Sequence, residues 1–187
     1  MARMIAEKSD ITPMLAELFR RHGYEGASIG IIVSATGLGR SSLYHLFPGG
    51  KQEMATAVLD HIARWFDENV FAPLRGMAPD AALDHMFSAV SDYFRGGQRI
   101  CLVGAFALDA TRDSFAQEIQ TYFNDWLTAL EQCLRRAGHG DAQARTEAQR
   151  ILAGIQGGIV LARATGEEQR FHAVIADLRA AQSQIAK

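Results

Sequence analysis

The segment Gly37-Leu-Gly-Arg-Ser-Ser-Leu-Tyr-His-Leu-Phe-Pro48 constrains this chain more than any other. Two glycines and a proline bracket residues 40–47, so whatever element forms there must be short. At helical spacing, Leu43 and Phe47 lie four apart on one face, which predicts a buried side. Arg40, Ser41, Ser42, Tyr44 and His45 then fall on the outward face, a set of donors suited to phosphates and base edges. A short helix that is apolar behind and hydrogen-bonding in front has the character of a recognition helix.

The residues ahead of it supply a scaffold. Ile11, Leu15, Leu18 and Phe19 recur at helical spacing, Pro13 suits a first turn, and Gly23 gives a stop after His22. Ser28 caps a second helix over 29–36, with Ile29, Ile32 and Val33 on one face. Gly37 ends that helix in a left-handed conformation where a side chain would cost energy. Helix, stop, helix, glycine turn, helix predicts a helix-turn-helix unit behind a supporting helix.

Two stretches carry a resemblance: Phe19-Arg-Arg-His-Gly-Tyr-Glu-Gly-Ala-Ser-Ile29, and Thr36-Gly-Leu-Gly-Arg-Ser-Ser-Leu-Tyr-His-Leu-Phe47. Together they resemble the DNA-binding domain of TetR-type transcriptional repressors. The Phe47-Pro-Gly-Gly-Lys51 corner is similar to the LmrA/YxaF-like subgroup. The resemblance implies a homodimeric regulator that binds double-stranded operator DNA, needs no cofactor, and is released by a small, largely apolar effector. It implies base and backbone contacts from Arg40, Ser41, Ser42, Tyr44 and His45, with Ser28 and Lys51 holding phosphates from helix starts. Ala27, Gly30 and Gly39 stand where the family commonly has polar side chains. They leave a second reading open: a helical ligand-binding or protein-interaction module that has lost operator binding.

Charge agrees with a DNA-facing head. The net charge is −2 for 187 residues, yet residues 1–51 hold six basic and four acidic side chains, so the excess of acid lies in the rest. Counting Arg40, Lys51 and one of Arg20 or Arg21 per subunit gives about six cationic contacts for a dimer, and a salt slope near −5. No run approaches the ~20 apolar residues of a membrane span. The start lacks a long apolar signal core, so a cytoplasmic location is expected. Cys101 and Cys133, far from any histidine at ligand spacing, are expected to be reduced and buried.

Enzymatic motifs fail on their spacing. Gly37-Leu-Gly-Arg-Ser-Ser42 puts Ser42 where a dinucleotide fingerprint needs glycine, and a helix, not a strand, precedes it. Gln52 replaces the magnesium-binding hydroxyl of a P-loop, and no nucleophile elbow is present. Six scattered histidines suggest no zinc site.

All four prolines lie within the first 79 residues, and no alternating strand pattern follows. This predicts an all-α chain of about nine helices: a head over 5–65, with the helix-turn-helix at about 28–47, and an effector-binding and dimerisation domain over 66–187. Expected body helices cover 51–70, 81–94, 102–111, 114–137, 142–165 and 168–184, with a loop from Pro73 to Pro79.

Gly154, Gly157 and Gly158 interrupt an apolar helix, which suggests that another helix crosses closely over them. The segment Ile155-Gln-Gly-Gly-Ile-Val-Leu-Ala-Arg-Ala-Thr-Gly166 is similar to the penultimate helix of TetR-type proteins, whose last two helices pair with their copies. That implies a dimer interface including Gly154, Gly158, Ala162, Val174 and Leu178, against the alternative of a crossing within one chain. The family's effector pocket lies between the connecting helix and the three after it. The resemblance thus suggests Trp65, Met86, Phe106, Tyr122 and Trp126 as lining, with Gln156 and Arg163 as polar anchors. Arg163 is also spaced to pair with Glu167.

Overall fold

The computed structural model describes residues 7–183. The expected start of the head at residue 5 and the expected end of the last helix at Gln184 lie outside the described residues. Among those described, the chain is all-α, with nine helices and no strand. The head is built from α1 (Lys8–Gly26), α2 (Ile29–Thr36) and α3 (Arg40–Leu46). A long α4 starts at Gly50–Phe66 and continues through a π turn, Asp67–Phe71, into Ala72–Gly76. Then come α5 (Pro79–Tyr93), α6 (Leu102–Leu108), a 3-10 turn (Arg112–Phe115), α7 (Ala116–Arg136), α8 (Asp141–Thr165) and α9 (Glu168–Ser183).

Local chemistry sets the head's boundaries. The Ser28 Oγ accepts the Ile31 N–H at 3.3 Å, capping α2. Gly37 ends that helix at φ 67°, its N–H returning to the Val33 carbonyl. Gly23, also at positive φ, breaks α1 near its end. Leu43 and Phe47 are completely buried, anchoring α3 in the core through its apolar side, next to α2.

Two boundaries differ from expectation for identifiable reasons. The expected Pro73–Pro79 loop is helical as far as Gly76, because the π turn absorbs the proline. There the Ala72 N–H reaches back five residues to the Asp67 carbonyl, and the N–H that Pro73 lacks is not needed. The Asn69 Nδ2 donates to the Trp65 carbonyl at 2.8 Å within the same turn. The expected 102–111 helix stops at Leu108. Asp109 ends it, one carboxylate oxygen accepting both the N–H and the hydroxyl of Thr111 at 2.8 Å.

The body is organised on α7, whose Tyr122, Trp126, Leu130 and Leu134 are buried among α4, α5, α6 and α8. Phe66 of α4 meets Tyr122 at 5.1 Å and Trp126 at 5.0 Å between ring centres. Such tilted and edge-on ring packing fixes α4 against α7.

The close helix crossing at the glycines is made within the chain. A Cβ on Gly154 would lie 3.0 Å from Leu178, and one on Gly158 would lie 3.2 Å from Phe171 and 3.5 Å from Val174. Of the residues expected to meet a second subunit, Gly154, Gly158, Val174 and Leu178 therefore meet across the seam between α8 and α9, and Ala162 lies against Gly97. Spacing put them correctly on one face but could not say whose helix covers it. The opposite face of α8 is open: Gly157 and Ala164 are exposed, Val160 is 61% exposed and Leu161 48%.

Candidate nucleic-acid interface and effector cleft

On α3 the outward side chains are uncommitted. Arg40, Ser41, Tyr44 and His45 are exposed and Ser42 is half-buried. Gly39 precedes the helix as its cap without a side-chain bond, leaving the first backbone N–H groups facing outward. Guanidinium, hydroxyls, phenol and imidazole thus share one surface of a helix whose other side is locked in the core. Such a surface fits a major groove and supplies donors for base edges and phosphates.

The corner after α3 steadies that surface. Gly50 has φ 65°, and a Cβ there would sit 3.4 Å from the Tyr44 ring. The Glu53 carboxylate accepts the Gly49 N–H at 2.7 Å and pairs with Lys8 at 2.7 Å. Together these bonds lower the Glu53 pKa: the Lys8 hydrogen bond first, then the backbone bond.

Ser28 is exposed beside the α2 start while it caps that helix. Lys51 is turned inward. Its Nζ donates to the Tyr24 carbonyl at 3.0 Å, lies 3.4 Å from a Glu25 carboxylate oxygen, and sits 4.4 Å above the Tyr24 ring. Arg20 also leaves the expected phosphate set. Its side chain is 6% exposed and donates to the Tyr93 hydroxyl at 2.9 Å and the Ile100 carbonyl at 3.4 Å, on the body side of the head.

An open cleft of about 670 Å³ lies between α6, Phe123 of α7 and α8. Ile100, Cys101, Gly104, Ala105, Ala107 and Leu108 form one side, and Gln156, Gly157, Ile159, Val160, Arg163 and Ala164 the other. Its size is that of a small-molecule site. Gln156 lies beside the Cys101 thiol, with its amide Nε2 buried against the sulfur. Cys101 and Cys133 are both free and buried.

Of the side chains expected to line a pocket, only Gln156 and Arg163 reach this cleft. Met86, Phe106, Tyr122 and Trp126 are at most 2% exposed and serve as core. Trp65 stacks on Tyr93 with ring centres 4.4 Å apart. Arg163 donates to the Gln98 carbonyl, and Glu167 pairs instead with Arg170 at 3.1 Å. Large rings fill a bundle core more readily than they line a void, and Trp65 borders a smaller pocket of about 140 Å³ with His61, Tyr93 and Arg99. Small residues were the better signal: Gly104, Ala105 and Ala107 face Gly157 and Ala164, and space remains where neither helix carries bulk.

Phe106 has a different place. It projects from the back of α6 onto α1, with ring centres 6.2 Å from Phe19 and 6.0 Å from Tyr24. Tyr24 is the ring that Lys51 covers. The wall of the cleft and the corner behind α3 are therefore two side chains apart.

Comparison with known proteins identifies this architecture. Residues 15–58 match the bacterial regulatory proteins of the tetR family. Residues 79–177, more than half the chain, match the C-terminal domain of LmrA/YxaF-like transcriptional regulators. The chain belongs to the TetR family of transcriptional regulators, in the LmrA/YxaF-like group. The HTH-type transcriptional regulator LmrA of Bacillus subtilis is 23% identical over 159 residues, which span 82% of this chain and 85% of that protein. The HTH-type regulator YxaF of the same organism is 22% identical, covering 78% and 79%. A TetR regulator from Legionella pneumophila has the same fold, with a TM-score of 0.83 at 21% identity, over 99% of this chain and all of that one. TetR-family regulators are DNA-binding proteins and not enzymes. Among the described residues, no helix is long and apolar enough to cross a membrane.

Proposed function

We propose that this TetR-family regulator is a cytoplasmic repressor that holds its operator as a homodimer and releases it when a small, largely apolar effector enters the cleft. The observation that carries the reading is α3 itself. Its outward Arg40, Ser41, Tyr44 and His45 are exposed, while Leu43 and Phe47 are fully buried behind them. Ser42 and Ser28 add hydroxyls, and Lys51 would reach a phosphate by leaving Tyr24. Residues 5–65 act as the DNA-binding part and 66–187 as the effector and dimer part.

The exposed apolar Val160 and Leu161 of α8 mark the surface best suited to pairing with a second copy, and because Gly157, Val160 and Ala164 also line the cleft, that copy would stand at the cleft's mouth and complete its wall. Two α3 helices would then enter successive major grooves about one helical turn apart. An effector wedged against α6 would move Phe106 against Phe19 and Tyr24, and so tilt the head. It can release DNA only to the extent that it binds the tilted state more tightly.

The test is an Arg40→Ala, Tyr44→Ala double variant on a palindromic site from DNA flanking the gene. A base-reading Arg40 alone contributes about 1–3 kcal/mol per subunit. Operator binding should fall at least a hundredfold while helicity and association state stay unchanged. Full-strength binding by the folded double variant removes α3 as the reading element.

A further inference from the structure

A second pocket, of about 300 Å³, lies where the head meets the body. Glu17, Arg20 and Arg21 of α1 line it, with Arg95, Gln98, Arg99 and Ile100 from the turn after α5, and Arg163 of α8. Five guanidiniums surround one carboxylate. Glu17 pairs with Arg20 at 2.9 Å and Arg99 at 2.6 Å. Arg21 and Arg95 have no ion-pair partner among the described residues. Arg163 holds only a backbone carbonyl, and the Arg99 Nε is buried without a partner. Glu168 is engaged by the Gln98 amide, not by an arginine.

The electrostatics follow from that imbalance. Burial pushes the Glu17 carboxyl up, but the Arg99 hydrogen bond and the charges of Arg20, Arg99 and Arg95 outweigh it and hold the pKa below the ordinary value. Burial and the neighbouring Arg99 charge lower the Arg20 pKa. Cations crowded in this way, partly out of water, favour a further anion.

This pocket adjoins the apolar cleft, since Ile100 and Arg163 line both. We propose that the two form one bipartite site for an amphiphilic anion. A carboxylate or phosphate head would sit among Arg21, Arg95, Arg99 and Arg163, and an apolar tail would lie along α6 toward Leu108. The inference rests on the effector reading above and deepens it. Occupancy would tie α1 to the body directly, since Arg21 belongs to the head and the other three arginines do not.

The full-length protein is titrated by calorimetry, without DNA, against octanoate, decanoate, dodecanoate, dodecyl phosphate, dodecan-1-ol and inorganic phosphate. Affinity should rise about fourfold per methylene from octanoate to dodecanoate, the preference of a buried CH2. Dodecan-1-ol and inorganic phosphate should each bind at least tenfold more weakly than the twelve-carbon anions. Dodecanoate against dodecyl phosphate tells which head the pocket prefers. An Arg21→Gln, Arg95→Asn double variant should lose at least tenfold for the anions and nothing for the alcohol. Asparagine keeps the turn, because it tolerates the φ of 51° found at Arg95. Arg145→Gln, an exposed arginine of α8, is the charge control and should bind as wild type.

Affinity independent of tail length, equal binding of the alcohol, or wild-type anion binding by the folded double variant would each overturn the bipartite site. Operator binding with no amphiphile bound at any length overturns the site and leaves the repressor standing. Tight anion binding with no release from operator DNA supports the site and removes the effector role.

Discussion

Gly97→Ala should be among the most damaging single-atom additions available in this chain. Gly97 has φ 88°, and a Cβ built there would lie 2.7 Å from the Phe171 Cβ and 2.9 Å from the Ala162 Cβ. Both neighbours are atoms fixed to the backbone of α9 and α8, so no side-chain rotation relieves the clash. The left-handed backbone costs alanine about 1–2 kcal/mol, and overpacking adds about 1–3 kcal/mol. A total near 3 kcal/mol is a large share of the roughly 5–15 kcal/mol that holds a domain together. Gly166 supplies the control, with φ 72° and nothing within 4 Å of a Cβ, so Gly166→Ala should lose only the backbone part. Equilibrium urea unfolding at one fixed protein concentration measures both variants. With a slope of roughly 2 kcal/mol per molar, the Gly97→Ala midpoint should fall by about 1.5 M or more and that of Gly166→Ala by about 0.5–1 M. Equal losses would show that α8 and α9 do not close over the turn carrying Arg95 and Arg99.

Three further outcomes follow from the same packing. Gly158→Leu should destabilise the chain by about 2 kcal/mol or more whatever its association state, since Phe171 and Val174 lie over that glycine; urea midpoints at two protein concentrations check it. A Val160→Glu, Leu161→Glu pair should instead leave a folded monomer by light scattering, and a persistent dimer would move the interface off the exposed face of α8. Glu17→Gln should cost about 1 kcal/mol at pH 7, a figure limited by solvent screening of a half-exposed side chain. Because the Glu17 pKa is lowered in the fold, its contribution is present above the ordinary value of 4.5 and is lost as pH falls below it. The gap between wild type and Glu17→Gln should therefore close under acid, and a gap that widens there contradicts the Glu17–Arg99 pairing.

What the sequence made legible was local. Ser28 and Gly37 act on their own turns, so both ends of α2 and the two faces of α3 follow from composition and spacing. Features that depend on distant partners were not legible. Arg20 looked like a phosphate contact because its partner, the Tyr93 hydroxyl, is 73 residues away. The glycine face of α8 was readable as a crossing, but whether α9 or a second subunit covers it was not. Pro73 read as a loop because the π turn that accommodates it has no strong sequence signal. Trp65, Tyr122 and Trp126 suggested a pocket, whereas the cleft lies where Gly104, Ala105 and Gly157 leave space.

The most direct test of the DNA-facing assignment is the salt dependence of operator affinity, read by fluorescence anisotropy on a palindromic site. With Arg20 turned to the body and Arg21 lining the same head–body pocket, Arg40 and Lys51 remain as cationic contacts in each subunit, so a dimer should give a slope of about −3 to −4, not −5. Arg40→Ala should flatten that slope by about 2, one neutralised phosphate or base-edge cation per subunit, while Arg20→Gln leaves it unchanged. A folded dimer that binds no flanking DNA at low salt, or a slope that responds to Arg20 and not to Arg40, would contradict the account.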